Sequence, residues 1–279
     1  MDRTRPDVIV AFGTFVSFPG VILGYCKNIP TVLHEQNVEL GRANRMLIPF
    51  ATKVAISFPT TLEKLPKGKG VWVGNILRSE MIDAVKKRVR REGKTQILIL
   101  GGSQGSSHLN HLIPQTFKLL SAEEKQKIAV VHITGVPDFP KLEHVYDDLG
   151  IENEVFSFTD EMPGFYGTSH LVIARAGAGT IAEAALFGLP SILIPYPHAG
   201  SHQIANARYL AERNATCLLR EETLTPESLR NEMVSLLHDE KRLQTMSENI
   251  SRLAKPDAVG CLVGEIERLL NNGKNVRRK

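Results

Sequence analysis

The rhythm of this chain constrains its fold more than any single residue does. Between residues 94 and 254, short apolar runs alternate with stretches of helical periodicity. The runs at 96–100, 128–133, 155–158, 171–174, 191–194 and 216–219 are nearly continuous in aliphatic residues, as strands buried on both faces are. Helical patterns separate them at 106–120, 139–149, 178–187, 202–213 and 226–237. Strand, helix, strand at this spacing implies an α/β fold with a parallel sheet covered on both sides. Such a sheet holds its ligand beyond the carboxyl ends of its strands. The preceding segment keeps the same beat, with strands expected at 7–11, 31–33, 53–57 and 71–73 and helices at 19–27 and 40–50. The reading is a partial first domain over 1–90, a basic linker within 86–94, and a second domain over 94–254. A last helix over 256–270 is expected to pack back on the first domain, and a disordered tail to fill 271–279.

Composition narrows the function classes. With 279 residues the chain is long enough for two domains, and 42% apolar with 23% charged residues is ordinary for a soluble globular protein. A net charge of +4 is too weak to argue for nucleic acid, yet it suits an anionic substrate or an anionic membrane surface. Cys26, Cys217 and Cys261 are isolated among apolar neighbours and read as reduced core thiols. No signal-peptide core is visible, and no apolar run reaches the ~18 residues of a membrane span.

The stretch 171–206 carries the chemistry. A buried run leads into a turn holding Gly177 and Gly179, and an Ala-rich helix follows with Ala178, Thr180, Ile181, Ala182 and one carboxylate, Glu183. A strand that delivers a glycine turn to a helix start presents unpaired amides and the positive end of the helix dipole, which suits phosphate. Glu183, one turn in, suits the hydroxyl pair of a ribose; the plain alternative is a solvated helix carboxylate. A second glycine turn, Gly101-Gly102-Ser103-Gln104-Gly105, also joins a strand to a helix, and Ser103 can donate to phosphate; alternatively it is only a tight turn. The turn is not G-x-G-x-x-G and lacks an acidic residue ~20 positions on, so no dinucleotide cofactor is expected. His34-Glu35-Gln36-Asn37 ends a strand and either faces a cleft or caps the next helix. Arg78, after Gly74-Asn75, either reaches a phosphate or lies on the surface. His198 and His202 sit in a Gly- and Pro-containing loop without the H-E-x-x-H pattern, and no metal site is expected. Phe12, Phe15 and Phe18, with Val16 and Val21, form an apolar patch expected chiefly as core, with a lipid-facing surface as the alternative.

Taken together, GGSQG, HEQN, GNxxR, RAGAGTIAE with FGLPSILIPYPHA, and HQxxNA resemble the MurG family, the bacterial transferases that add GlcNAc to lipid I to give lipid II. The resemblance runs from about Pro6 to Leu270. It implies a GT-B fold, two Rossmann-like parallel-sheet domains facing across a cleft, the first one incomplete here. It implies UDP-GlcNAc as donor, lipid-linked muramyl peptide as acceptor, inversion at the anomeric carbon, and neither cofactor nor metal. The setting it implies is peptidoglycan synthesis, hence cell-wall biogenesis, cell shape and cell division, at the cytoplasmic face of the bacterial inner membrane as a peripheral protein.

Family roles carry over where motifs match. Asn37 and Arg78 would contact the donor, and Ser103 its diphosphate. Thr159 stands where a backbone group meets uracil. Ala178, Gly179, Thr180, Ile181 and Ala182 would wrap the phosphates and ribose, with Glu183 on the ribose hydroxyls and Gln203 on those of GlcNAc. His34, Glu35 and Gln36 would line the acceptor side. The family's opening GGTGGH loop, with the histidine proposed as base, has no counterpart here, and Phe15 replaces the usual Tyr of a GYxSGP-like segment. The expectation is therefore an N-acetylglucosaminyltransferase without an assigned base. The alternative is a donor-binding subunit or inactive remnant needing a polypeptide that supplies missing N-terminal strands. A UDP-GlcNAc 2-epimerase on the same fold is a third reading.

Overall fold

In the computed structural model, which describes residues 6–102, 105–197 and 202–277, each apolar run becomes a strand, and every strand pair is parallel. The chain divides into two compact units, residues 1–77 with 255–279, and residues 78–254.

In the first unit β1 (Ile9–Ala11), α1 (Ser17–Cys26), β2 (Thr31–Glu35), α2 (Arg42–Leu47), β3 (Lys53–Ile56) and β4 (Gly70–Trp72) form a four-stranded sheet in the order β1-β2-β3-β4. Successive side chains of a strand point to opposite faces, and the core splits accordingly. Leu33, Val54 and Ile56 pack with Val21 of α1 and Leu47 of α2 on one face. Val32 and Ala55 face the other way, where Leu262, Ile266 and Leu269 of the terminal helix (Ala258–Arg277) cover them. That helix continues through the residues expected as a disordered tail from 271, because its packed first half supplies the costly nucleus and extension adds one bond per residue. Gly74, at φ +95°, lies so close to Lys255 that a Cβ would meet that side chain at 2.3 Å.

The second unit opens with α3 (Ser79–Lys86). It continues through β5 (Thr95–Leu100), α4 (Ser107–Lys118), α5 (Ala122–Gln126), β6 (Ile128–Ile133), α6 (Phe139–Leu142) and β7 (Glu152–Phe156). Then come α7 (Met162–Thr168), β8 (Leu171–Ala174), α8 (Ala178–Leu186), β9 (Ser191–Leu193), α9 (His202–Ala211) and β10 (Cys217–Leu218), and α10 (Pro226–Leu237) and α11 (Glu240–Ser251) close it. The sheet runs β10-β9-β8-β5-β6-β7. From β5 the chain adds β6 and β7 on one side, then returns to place β8, β9 and β10 on the other. Strand order therefore reverses between β5 and β8, where a doubly wound sheet opens a crevice at its carboxyl edge. Ile97, Ile99, Val130, Leu171, Ile173 and Ile192 form the centre of the core.

Several expectations need correction. The run expected at 155–158 is the strand Glu152–Phe156; it lies at the sheet edge, where polar residues such as Glu152 and Glu154 are tolerated and mask the strand in hydropathy. The helix expected over 139–149 is regular only over Phe139–Leu142, and α3, α5, α7 and α11 went unanticipated. The basic stretch 86–94 belongs to the second unit: Arg91 pairs with Glu152 and donates its amide to Thr168 O at 3.1 Å, and Arg88 donates to Phe187 O. None of the three cysteines is a core residue, since Cys26 and Cys261 are exposed and Cys217 is half-buried, where burial pushes its thiol up to about 12. The apolar patch near the N-terminus is mostly surface: Phe15 is 71% and Val16 88% exposed, while Val21 is in the core and half-buried Phe18 packs against it.

The first unit has fewer and shorter strands and a smaller core than the second. Amide hydrogen exchange should therefore show weaker protection in β1–β4 than in β5, β6 and β8. Equal protection in both sheets would contradict this.

Candidate active site at the sheet reversal

Two turns meet the reversal from either side. The first follows β5. A Cβ on Gly101 would lie 2.5 Å from the Ser106 amide nitrogen, and one on Gly105, at φ +77°, would lie 2.4 Å from Thr134 O. Both positions thus require glycine, one for close packing and one for close packing and backbone angle. Gly105 donates its amide to Gly102 O at 3.0 Å, closing the turn, and Ser106 then caps α4 by accepting from the Leu109 amide. Ser103, the expected diphosphate contact, and His198 lie outside the described residues.

The second turn follows β8. Gly177 is the extended N-cap of α8, and no side chain caps that helix. The first amide with a helical partner is that of Ile181, bonded to Gly177 O at 3.0 Å. The amides of Ala178, Gly179 and Thr180 therefore open the helix at its positive end, which is an anion-binding geometry. Gly179 is exposed, Ala178, Thr180 and Ala182 are half-buried, and Ile181 points into the core.

Glu183 lies one turn further along α8, half-buried. Burial raises its carboxyl above the ordinary range, while Tyr166 and the positive charge of Arg78 oppose that shift. Tyr166 is fully buried and stacked on Phe187. The fold thus brings exposed Arg78, the residue before α3, into electrostatic reach of Glu183. From α9, Asn206 donates to Ala176 O at 3.2 Å and ties that helix to the second turn, while Gln203 accepts from the Tyr196 amide at 2.9 Å and braces the loop after β9. Thr159 lies past the end of β7, three strand spacings, or about 14 Å, from β8 along the same carboxyl edge. Its hydroxyl accepts from the Glu161 amide at 3.0 Å.

Behind the first turn lies a buried polar chain. Asn110 donates to Thr134 O and Asp138 Oδ2, both at 2.8 Å, so its Oδ1 faces His132 Nε2 at 3.1 Å as an acceptor. His132 Nε2 is then the protonated nitrogen, and Nδ1 accepts from the Tyr146 hydroxyl at 2.9 Å. Every member is satisfied with a neutral imidazole, and the chain fixes the Thr134 carbonyl against Gly105. Burial pushes the His132 imidazole down to about 3 from 6.5.

In the first unit the HEQN residues end β2. Glu35 is 1% exposed, and its carboxylate accepts from the Asn37 amide at 3.0 Å, Asn37 Nδ2 at 3.3 Å, the Gly41 amide at 2.8 Å and Asn44 Nδ2 at 2.9 Å. Four donors leave it the brace of its own loop, where the sequence suggested an acceptor-side group. His34 is also buried; Nε2 lies 3.1 Å from Gly74 O, and burial lowers its pKa, so it holds the end of β2 as a neutral ring. Gln36 reaches Phe12 O at 3.4 Å. Asn44, Arg175 and Asn110 organise these loops and were not singled out from sequence; only Arg175, just beyond the apolar run 171–174, carried a local signal.

Comparison with known proteins agrees with this geometry. Residues 96–260 match the glycosyltransferase family 28 C-terminal domain and residues 1–56 its N-terminal domain. A UDP-N-acetylglucosamine–N-acetylmuramyl-(pentapeptide) pyrophosphoryl-undecaprenol N-acetylglucosamine transferase of Coxiella burnetii is 38% identical over 268 residues, 95% of this chain and 74% of that one. The protein of the same name from Thiobacillus denitrificans is 37% identical over 96% of this chain and 74% of its own length. The crystal structure of Acinetobacter baumannii MurG superposes with a TM-score of 0.81 at 29% identity, covering 96% of this chain and 76% of that one. A UDP-GlcNAc 2-epimerase from Neisseria meningitidis, bound to UDP-GlcNAc, shares the fold alone, with a TM-score of 0.67 at 13% identity over 96% of this chain and 78% of that one.

The buried histidine gives a measurable consequence. His132 is lowered in the folded state, so the unfolded chain takes up its proton first. Its contribution to stability is full above about pH 6.5 and is lost as pH falls toward about 3, at most about 1.4 kcal/mol per pH unit on top of the carboxylates. Denaturant titrations across that window should show a smaller slope in His132→Gln than in the wild type; an unchanged slope in the variant would contradict the assignment. Its parallel sheets, its paired glycine turns and these matches establish that the chain belongs to glycosyltransferase family 28, with a GT-B fold.

Proposed function

We propose that the chain transfers GlcNAc from UDP-GlcNAc to lipid I, undecaprenyl-pyrophosphoryl-MurNAc-pentapeptide, forming lipid II in peptidoglycan synthesis. The observation that carries this is the uncapped start of α8 beside the Gly101–Gly105 turn at the sheet reversal, in a chain 38% identical over 95% of its length to an N-acetylglucosamine transferase of that specificity. In this reading the donor diphosphate lies on the amides of Ala178, Gly179 and Thr180 and against the first turn, with Ser103 as a further donor. Glu183 accepts from the ribose hydroxyls, Arg78 adds positive charge, the backbone at Thr159 meets the uracil, and Gln203 meets the GlcNAc.

The reaction is a direct displacement. The acceptor hydroxyl attacks the anomeric carbon from the face opposite UDP, a base removes its proton, and UDP departs as an anion. Helix-terminal amides fixed before the reaction stabilise that developing charge without reorganising, and holding both substrates together supplies the proximity contribution. His34 is not assigned as the base: it is buried, and its ring is held at the Gly74 carbonyl.

The acceptor is lipid-linked, and the first unit carries a surface suited to a bilayer. Phe12, Phe15, Val16, Tyr25 and Met46 are exposed apolar groups, and Lys27, Arg42 and Arg45 are exposed cations on or beside the same two helices, α1 and α2. This reading places the protein peripherally on the anionic cytoplasmic face of the inner membrane. The outer edge of β1 has no strand partner among the described residues and suits a further polypeptide strand.

Calorimetry with UDP-GlcNAc, followed by a transfer assay with a lipid I analogue, tests the proposal. Glu183→Gln should weaken UDP-GlcNAc about tenfold through loss of a charge-assisted bond. His34→Ala should leave donor affinity nearly unchanged. Loss of donor binding in His34→Ala, or none in Glu183→Gln, would contradict the placement, and binding without transfer would favour a donor-binding subunit. Separately, Phe15→Ser with Val16→Ser should reduce sedimentation with phosphatidylglycerol vesicles; unchanged sedimentation would remove the membrane assignment.

A further inference from the structure

Arg175 is a charged residue at 5% exposure, placed between β8 and the Gly177 turn. Four hydrogen bonds hold its guanidinium. Nε and Nη2 donate to Ser106 Oγ at 3.1 and 2.8 Å, and Nη1 donates to Ile194 O at 3.1 Å and to the Glu221 carboxylate. The Tyr196 ring lies 5.4 Å away. One side chain therefore joins the loops that follow β5, β8 and β9 to the turn after β10. Ser106 is the N-cap of α4 and the residue against which Gly101 is packed. A buried charge with a single counter-charge is costly to maintain. A planar fork with donors on several sides, unlike a lysine ammonium, can hold Ser106, a carbonyl and a carboxylate at once.

We infer that Arg175, held by Glu221, is a positioning residue for the donor diphosphate: through Ser106 it fixes Gly101 and the start of α4 in register with the uncapped start of α8. This rests on the donor reading above. It goes beyond that reading in naming Ser106, Arg175 and Glu221, none of which touches the ligand. Groups on two different strands serve one diphosphate only if their separation is constant, and the Ser106–Arg175 bonds are a direct side-chain link between the start of α4 and the Gly177 turn.

The test compares UDP with uridine, which lacks the diphosphate, on the full chain. Arg175→Lys keeps the charge and loses the fork. Ser106→Ala removes the acceptor, and Ser106→Thr restores a hydroxyl. UDP affinity by calorimetry should fall about tenfold in Arg175→Lys and Ser106→Ala, in line with loss of bonds to a charged group, and recover in Ser106→Thr. Uridine binding, followed by ligand-observed NMR, should be unchanged in all three. A purely structural role would weaken UDP and uridine together, and that result overturns the inference. So does wild-type UDP affinity in Arg175→Lys, which would leave only a need for charge, or in Ser106→Ala. Failure of the wild-type chain to bind UDP overturns the donor reading itself, and this inference with it.

Discussion

The second sheet reverses its strand order between β5 and β8, and the chemistry of the chain follows from that one topological fact. A reversal sends the crossovers of neighbouring strands to opposite faces, so the turns after β5 and β8 part and leave their helix starts facing solvent. The start of α8 then supplies what a phosphate needs, backbone donors and the positive end of a helix. The glycines follow as a steric consequence: at Gly101 and Gly105 a single added carbon would strike backbone atoms within 2.5 Å.

Around this crevice, buried polar groups hold loops and do not act as reagents. The chain from Tyr146 through His132 to Asn110 sets the Thr134 carbonyl beneath the first turn. Arg175 ties that turn to its neighbours, and Asn206 anchors α9 under Ala176. The first unit uses the same device in Glu35, whose carboxylate gathers four donors from its own loop. A fully satisfied buried polar group rigidifies its surroundings. Rigid surroundings keep amides aimed at a charge that develops only during the reaction.

The sheets and the second glycine turn were legible in the sequence because their signals are local. An aliphatic run before a Gly-Ala-Gly turn needs no distant partner to be read, and a lone carboxylate in an Ala-rich helix stands out. Long-range geometry was not legible. Glu35 looked like a ligand group because nothing in HEQN shows that Gly41 and Asn44 fold back onto it. Arg175 was not singled out because its partners lie 69 and 46 positions away. The strand at Glu152–Phe156 was misplaced because an edge strand carries charge where a central one cannot. The phenylalanines near residue 15 were assigned to core because hydropathy cannot separate a buried face from an exposed apolar one.

A crystal structure of the chain with bound UDP-GlcNAc tests the central claim most directly. The account expects the diphosphate within hydrogen-bond distance of the Ala178, Gly179 and Thr180 amides and beside the Gly101–Gly105 turn, with the ribose at Glu183. Well-ordered nucleotide elsewhere on the molecule, or full loading in solution with that crevice empty, would contradict it.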